Sequence, residues 1–193
     1  MKELKIYLEK FAPISDSTWN RISELFIEKL ILKNNYFIEE NKIAHEIGFL
    51  KNGIIRAFYT NKKGIEYNKH FFTKNNLIGG YTSLINKKPN LISQQALTDC
   101  IILVANYDEL QKLTKTCIDL ERVFRKYPET LLINKENREI ELVLMNADER
   151  YEIFKNQFPE LEQIIPQYHI ASYLGISATQ LSRIRNKNKT SKK

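Results

Sequence analysis

Residues 166–187 read Pro-Gln-Tyr-His-Ile-Ala-Ser-Tyr-Leu-Gly-Ile-Ser-Ala-Thr-Gln-Leu-Ser-Arg-Ile-Arg-Asn-Lys, and they describe two short helices joined by a tight turn. Gln167 to Leu174 repeats its apolar residues at helical spacing, with Ile170, Ala171 and Leu174 facing inward. Gly175 supplies the positive φ that ends this helix. Ile176 fills the gap between the helices. Ser177 can cap a second helix, Ala178 to Arg185, whose buried face is Leu181 and Ile184. Ala171 is small where the two helices cross. A small residue, a glycine four positions on and two apolar residues at set spacing are what the sharp angle of a helix-turn-helix requires. A generic helical pair with the same pattern is the alternative.

The second helix would be a recognition helix, with Ala178, Thr179, Gln180, Ser182, Arg183 and Asn186 outward. In a major groove Arg183 can donate twice to a guanine and Gln180 twice to an adenine, and Thr179 can offer a methyl to a thymine. Ser177, Ser182, Arg185 and Lys187 suit phosphates. Solvation is the plain alternative for each of them. Charge points the same way. The net formal charge is +7, and from Gln167 to Lys193 there is no Asp or Glu. The same stretch carries Arg183, Arg185, Lys187, Lys189, Lys192 and Lys193, a distribution that attracts a polyanion or makes a solvated basic tail.

Working outward, residues 30–106 change character. Short runs rich in Ile, Phe, Tyr and Val (36–38, 47–53, 53–60, 65–72, 93–97 and 100–105) alternate with Asn-, Lys- and Gly-rich breaks. That rhythm predicts an antiparallel roll or sandwich. Before it, residues 2–11 and 15–30 read as amphipathic helices, the second capped by Ser15 or Asp16. After it, Tyr107 to Leu113 reads as a short helix and 118–145 as a long one. Pro128 should kink or divide the long helix. It packs either on its own roll or against a twin. A helix-turn-helix usually works as a pair, which favours the twin. Asn146, with Glu149 three residues on, opens a further helix as a capping box.

The 193 residues are 42% hydrophobic and 27% charged, as in ordinary globular chains. No run of about 18 apolar residues spans a membrane, and the N-terminus lacks a signal peptide's apolar core. A cytoplasmic protein without membrane contact is expected. Cys100 and Cys117 form no CxxC and imply a reduced pair. No nucleophile elbow, P-loop or HExxH is present. The histidines, His45, His70 and His169, are isolated. Neither a catalytic residue, a metal ligand nor a cofactor is assigned, and no enzyme is expected. A cupin-like enzyme on the roll is a remote alternative, since it would want clustered His and Glu ligands.

The chain resembles the Crp–Fnr family of regulators, in particular the compact members common in Bacteroidetes. The resemblance rests on the order roll, long helix, helix-turn-helix. It also rests on Asp148-Glu149-Arg150-Tyr151, Pro159, Ile170 to Ser177 and Leu181 to Arg185. Leu77-Ile78-Gly79-Gly80, with Pro89 and Ala96, stands where that family has its phosphate-binding cassette.

The resemblance implies an α+β fold: an antiparallel cyclic-nucleotide-binding-like jelly roll with flanking helices, a long dimer helix and a C-terminal helix-turn-helix. The expected divisions are 1–117 for the sensor roll, 118–145 for dimerisation and linker, and 146–193 for DNA binding. The implied function is sequence-specific transcription regulation by a homodimer on double-stranded DNA. RNA polymerase and an unidentified small-molecule effector are further partners that the resemblance allows.

Any effector pocket would fall at Gly79, Gly80, Ser83, Asn90 and Leu91. Cyclic-AMP binders carry Gly-Glu where Gly79-Gly80 stands, and Arg-Ser where Asn90-Leu91 stands. Without that Arg and Glu the cyclic phosphate and the ribose 2′-hydroxyl lose their partners. An effector other than cyclic AMP is therefore expected, with a cyclic-nucleotide regulator of non-standard pocket as the alternative. A cavity lined by Ile54, Phe58, Phe71, Ile78 and Leu84 could be filled by its own side chains. Ala178-Thr179 replaces a common Arg-Glu pair. Eight residues follow Arg185, too few for the usual wing, so Lys187 to Lys193 are expected to contact phosphates in its place.

Overall fold

The computed structural model describes residues 1–190, without the side chains of 188–190. Two helices come first, α1 (Lys2–Glu9) and α2 (Asp16–Glu24). Ser15 caps α2, its Oγ accepting from the Thr18 N–H at 3.3 Å. Strands β1 (Ile27–Ile31), β2 (Tyr36–Ile38), β3 (Glu46–Asn52), β4 (Ile55–Thr60), β5 (Glu66–Phe72) and β6 (Asn76–Ile78) follow. After α3 (Tyr81–Asn86) come β7 (Ser93–Ala96) and β8 (Cys100–Asn106).

The strands form two four-stranded sheets, ordered β1-β8-β3-β6 and β2-β7-β4-β5. Chain neighbours such as β1 and β2 lie in different sheets, which agrees with the antiparallel roll or sandwich predicted from the strand rhythm and with the jelly roll that the resemblance implies. Positive φ at Asn34, Asn41 and Asn75 sits in the breaks between runs, because Asn tolerates that conformation. The core joins sheet residues Phe49, Leu77, Leu103 and Ala105 to Leu4, Leu8 and Ile22 of the leading helices and to Leu120 and Val123.

Two local expectations fail. The helix expected over 15–30 ends at Glu24, and residues 27–31 are a strand. Ile27 to Ile31 pair antiparallel with Val104 to Cys100. Local helical spacing loses to partners 69 to 77 positions away, as propensity does when tertiary pairing competes. Asn76, expected in a break, begins β6 and lies in register with Leu50. The long helix α5 (Ile118–Leu144) is continuous through Pro128. Pro128 thus does not divide the helix: a proline removes one ladder bond and crowds the preceding turn, and the turns on either side keep the helix going.

Helices α4 (Tyr107–Thr114), α6 (Ala147–Gln157), α7 (Leu161–Ile164), α8 (Gln167–Leu174) and α9 (Ala178–Thr190) complete the chain. Asn146 and Glu149 form the expected capping box on α6. The chain divides into two compact units. One holds Met1–Tyr59 and Phe71–Leu131. The other joins Thr60–His70, the tip of the β4–β5 hairpin, to the chain from Leu132 onward.

Candidate nucleic-acid interface

Helices α8 and α9 form the tight pair read from the sequence. Ile170, Ala171, Leu174, Leu181 and Ile184 are buried between them and their neighbours. Gly175 ends α8 in the left-handed region at φ 70°. Substitution there is strained, because only glycine visits that region without cost. At the start of α9 the Oγ of Ser177 accepts from the Gln180 N–H at 3.2 Å. The Oε1 of Gln180 accepts in return from the Ser177 N–H at 2.9 Å and from its hydroxyl at 3.1 Å. This is a reciprocal capping box. The pattern Ser-x-x-Gln could have revealed it, although the sequence reading assigned Gln180 to DNA alone.

Thr179, Gln180, Ser182 and Arg183 are exposed along α9. Arg185 is placed differently from them. Its Nε lies 2.5 Å from Glu162 Oε1 of α7, and the same oxygen accepts from the Tyr151 hydroxyl of α6. Burial, then the Glu162 carboxylate, push that phenol well above its ordinary range. Arg185 thus ties α9 to α6 and α7. Lys187 meets Asp148 at 3.2 Å in an exposed pair. The side chain of Lys189, and Lys192 and Lys193 entirely, lie outside the described residues.

Supports that sequence reading missed hold α8. Arg138 donates to the Tyr173 carbonyl and stacks on the Tyr173 ring at 4.1 Å. Arg150 donates from Nε to the Leu174 carbonyl at 3.1 Å. Two cations thus meet the unsatisfied carbonyl end of α8, where the helix dipole favours positive charge. On the other flank Ser172 and His169 bind the β4–β5 hairpin tip. Ser172 Oγ accepts from the Asn68 N–H at 2.9 Å and donates to the Glu66 carbonyl at 3.1 Å.

The cassette residues also come together in the roll. Gly80 caps α3. A Cβ added there would lie 2.2 Å from Asn90 Oδ1, so the glycine makes room for Asn90. The Asn90 amide donates to the Lys42 carbonyl at 2.9 Å. Ser83 is buried, accepting from the Ala44 N–H at 3.0 Å and donating to the Lys88 carbonyl. Gly79 accepts from Gln94 Nε2 at 3.0 Å. Leu91 is the outlier, exposed at 73%.

Ile54, Phe58, Phe71, Ile78 and Leu84 are all buried, but they do not share one cavity wall. Phe58 lies opposite Ser93 in register, beside the Arg56–Gln95 pair, with Arg56 stacked on its ring at 3.9 Å. Ile55 and Ala96 belong to the other face of β4 and β7, which lines the roll core. The period-two alternation of a strand places Phe58 away from that face.

Comparison with known proteins shows what this fold is similar to. Residues 28–117 match the cyclic nucleotide-binding domain family. Among curated proteins none matches. FixK2 from Bradyrhizobium japonicum is similar in structure at TM-score 0.75 and 16% identity, over 86% of this chain and 85% of that one. A Crp/Fnr-family regulator from Eubacterium rectale reaches 0.74 at 14% identity, over 96% and 88%. The c-di-GMP-responsive regulator CLP from Xanthomonas campestris reaches 0.70 at 14% identity, over 92% and 93%.

The fold is therefore similar to that of these Crp–Fnr-like structures, and residues 28–117 are similar to the cyclic nucleotide-binding domain family. No helix among the described residues is long and apolar enough to cross a membrane.

Proposed function

We propose that this protein is a cytoplasmic, sequence-specific DNA-binding transcription regulator that acts as a homodimer, with no enzymatic activity. The observation that carries the reading is the α8–α9 pair. Its turn is set by Gly175 and its second helix is capped by Ser177. That helix presents Thr179, Gln180, Ser182 and Arg183 to solvent. A recognition helix needs its buried face locked and its outer face free for base edges.

Residues 1–117, 118–145 and 146–193 divide the work into sensing, dimerisation and DNA binding. Arg183 is the principal base reader, assisted by Gln180 and Thr179, while Ser177, Ser182 and Lys187 contact phosphates. Arg185 acts through its Glu162 tie and holds the reading helix in place. RNA polymerase is a further partner. An effector, if bound at Gly79, Gly80, Ser83, Asn90 and Leu91, is not cyclic AMP. The neutral Asn90 amide occupies the Gly80 cradle and is already committed to Lys42, so it leaves the cyclic phosphate without a fixed cation.

Selection of bound duplexes from a random-sequence pool tests the reading. The expected outcome is a palindromic site whose preference relaxes at one base pair per half-site in Arg183→Ala, at a cost of about 1–3 kcal/mol. A parent protein that enriches no sequence, or an Arg183→Ala variant with unchanged preference, would overturn it.

A further inference from the structure

The β4–β5 hairpin reaches the helix-turn-helix with a stiff, basic turn. Asn61 closes the turn: its carbonyl accepts from the Gly64 N–H at 2.9 Å, and its Oδ1 accepts from the Lys63 and Ile65 N–H groups at 2.9 and 3.0 Å. Gly64 adopts φ +76° with nothing near its missing Cβ. Lys62 and Lys63 stand exposed at the apex, and among the described residues neither is in an ion pair.

The stalk has a fixed direction on α8. Asn68 is buried and donates from Nδ2 to the His169 carbonyl at 3.0 Å. Two residues nearer the tip, the Glu66 carbonyl accepts from Ser172. Nearer still, Ile65 shares an open groove of about 390 Å³ with Ile176, Ser177, Ala178 and Gln180. The strand therefore runs along α8 towards the first turn of α9, and the lysine turn comes next along the chain. A DNA backbone flanks a recognition helix on that side, because the N-terminal residues of such a helix enter the groove between two phosphate strands.

We propose that the hairpin tip is a second DNA-contacting element, with Lys62 and Lys63 each taking a phosphate of the strand beside α9. The inference rests on the DNA-binding reading above. Charge complementarity selects the occupant. Lys62, Lys63 and Lys69 outnumber Glu66 in the segment, and two exposed ammonium groups on a rigid turn match a phosphate backbone. Held by Asn68 and Ser172, the tip meets DNA without an ordering cost at the moment of binding.

The test is binding of the full chain to mixed-sequence double-stranded DNA, read by fluorescence anisotropy across a salt series. The double variant Lys62→Ala with Lys63→Ala should bind more weakly, and its log–log salt slope should be shallower by about 1.8 for each protomer on the DNA, or about 0.9 for each lost phosphate contact. Lys62→Arg with Lys63→Arg should behave like the parent. Lys33→Ala with Lys115→Ala, which removes two exposed lysines elsewhere, should leave the slope unchanged.

An unchanged slope in the tip variant overturns the proposal. So does tighter binding, the result for a tip that blocks α9, or an equal loss in the Lys33/Lys115 control. A parent chain that binds no DNA overturns the DNA-binding reading as well, and that outcome is distinct from the others. Far-UV circular dichroism of each variant checks that the fold is intact.

Discussion

The Gln180 side chain closes back onto Ser177, its Oε1 accepting from both the Ser177 N–H and the Ser177 hydroxyl. Cap and base reading compete for this one amide. Adenine recognition needs both its oxygen and its nitrogen, and the oxygen is committed. Gln180→Ala should destabilise the protein by about 0.5–1 kcal/mol through the cap. Gln180→Glu keeps the acceptor and should retain stability while weakening DNA binding by adding negative charge at the groove. Chemical denaturation and DNA titration on the same variants separate the two effects.

Gly80 and Asn90 occupy one space. Gly80→Ala would drive Asn90 from its bond to the Lys42 carbonyl, leaving a buried acceptor and donor poorly matched. The expected loss is about 1–3 kcal/mol. Adding Asn90→Ala should recover part of it, because the clash then has no partner. Additive losses in this double-mutant cycle would show that the two residues do not couple.

Acid should unfold the protein in two stages. Burial, aided by the Lys69 and Arg138 charges, lowers His70 from 6.5 to about 4. The fold holds the neutral ring, so its contribution is full above pH 6.5 and is lost as pH falls towards 4. Asp119 follows at lower pH. Burial alone would raise its pKa, but hydrogen bonds from the Ser15 N–H, the Thr18 and Ser15 hydroxyls and the Leu120 N–H bring it to about 2. Its contribution is present above 3.8 and fades as pH falls towards 2. Thermal unfolding from pH 8 to about 2 should show His70→Gln flattening the first decline and Asp119→Asn the second. Asp119→Asn should also cost about 1–2 kcal/mol at neutral pH, after allowing for solvent screening.

The C-terminal half of α5 exposes Ile133, Ile140, Val143 and Leu144. Ile133 stands seven residues before Ile140, and Val143 and Leu144 stand three and four after it, spacings that suit a helix seam with a second copy. Ile140→Lys with Val143→Lys should yield a monomer by analytical ultracentrifugation and weaken binding to paired half-sites. A dimer that survives both lysines would place the seam elsewhere.

The helix-turn-helix was legible because each of its signals is local. Gly175, Ser177 and the spacing of Ile170, Leu174, Leu181 and Ile184 act within one or two turns, and α8 has the bounds read from the sequence. The roll was legible as a rhythm of strands. Individual contacts were not, because a strand finds its partner by a register that no short window contains. That is why residues 27–30 read as helix, and why the cavity wall was assigned to Phe58.

By itself, then, the sequence determined the order of the parts, the turn of the helix pair and the cap of α6, all governed by bonds three or four residues apart. The tertiary structure decided the rest. Asn68 meets Ser172 across 104 positions, Arg185 turns to Glu162, and Asn90 fills the place beside Gly80. Such pairings depend on where distant backbones come to lie, and packing of the whole chain sets those positions.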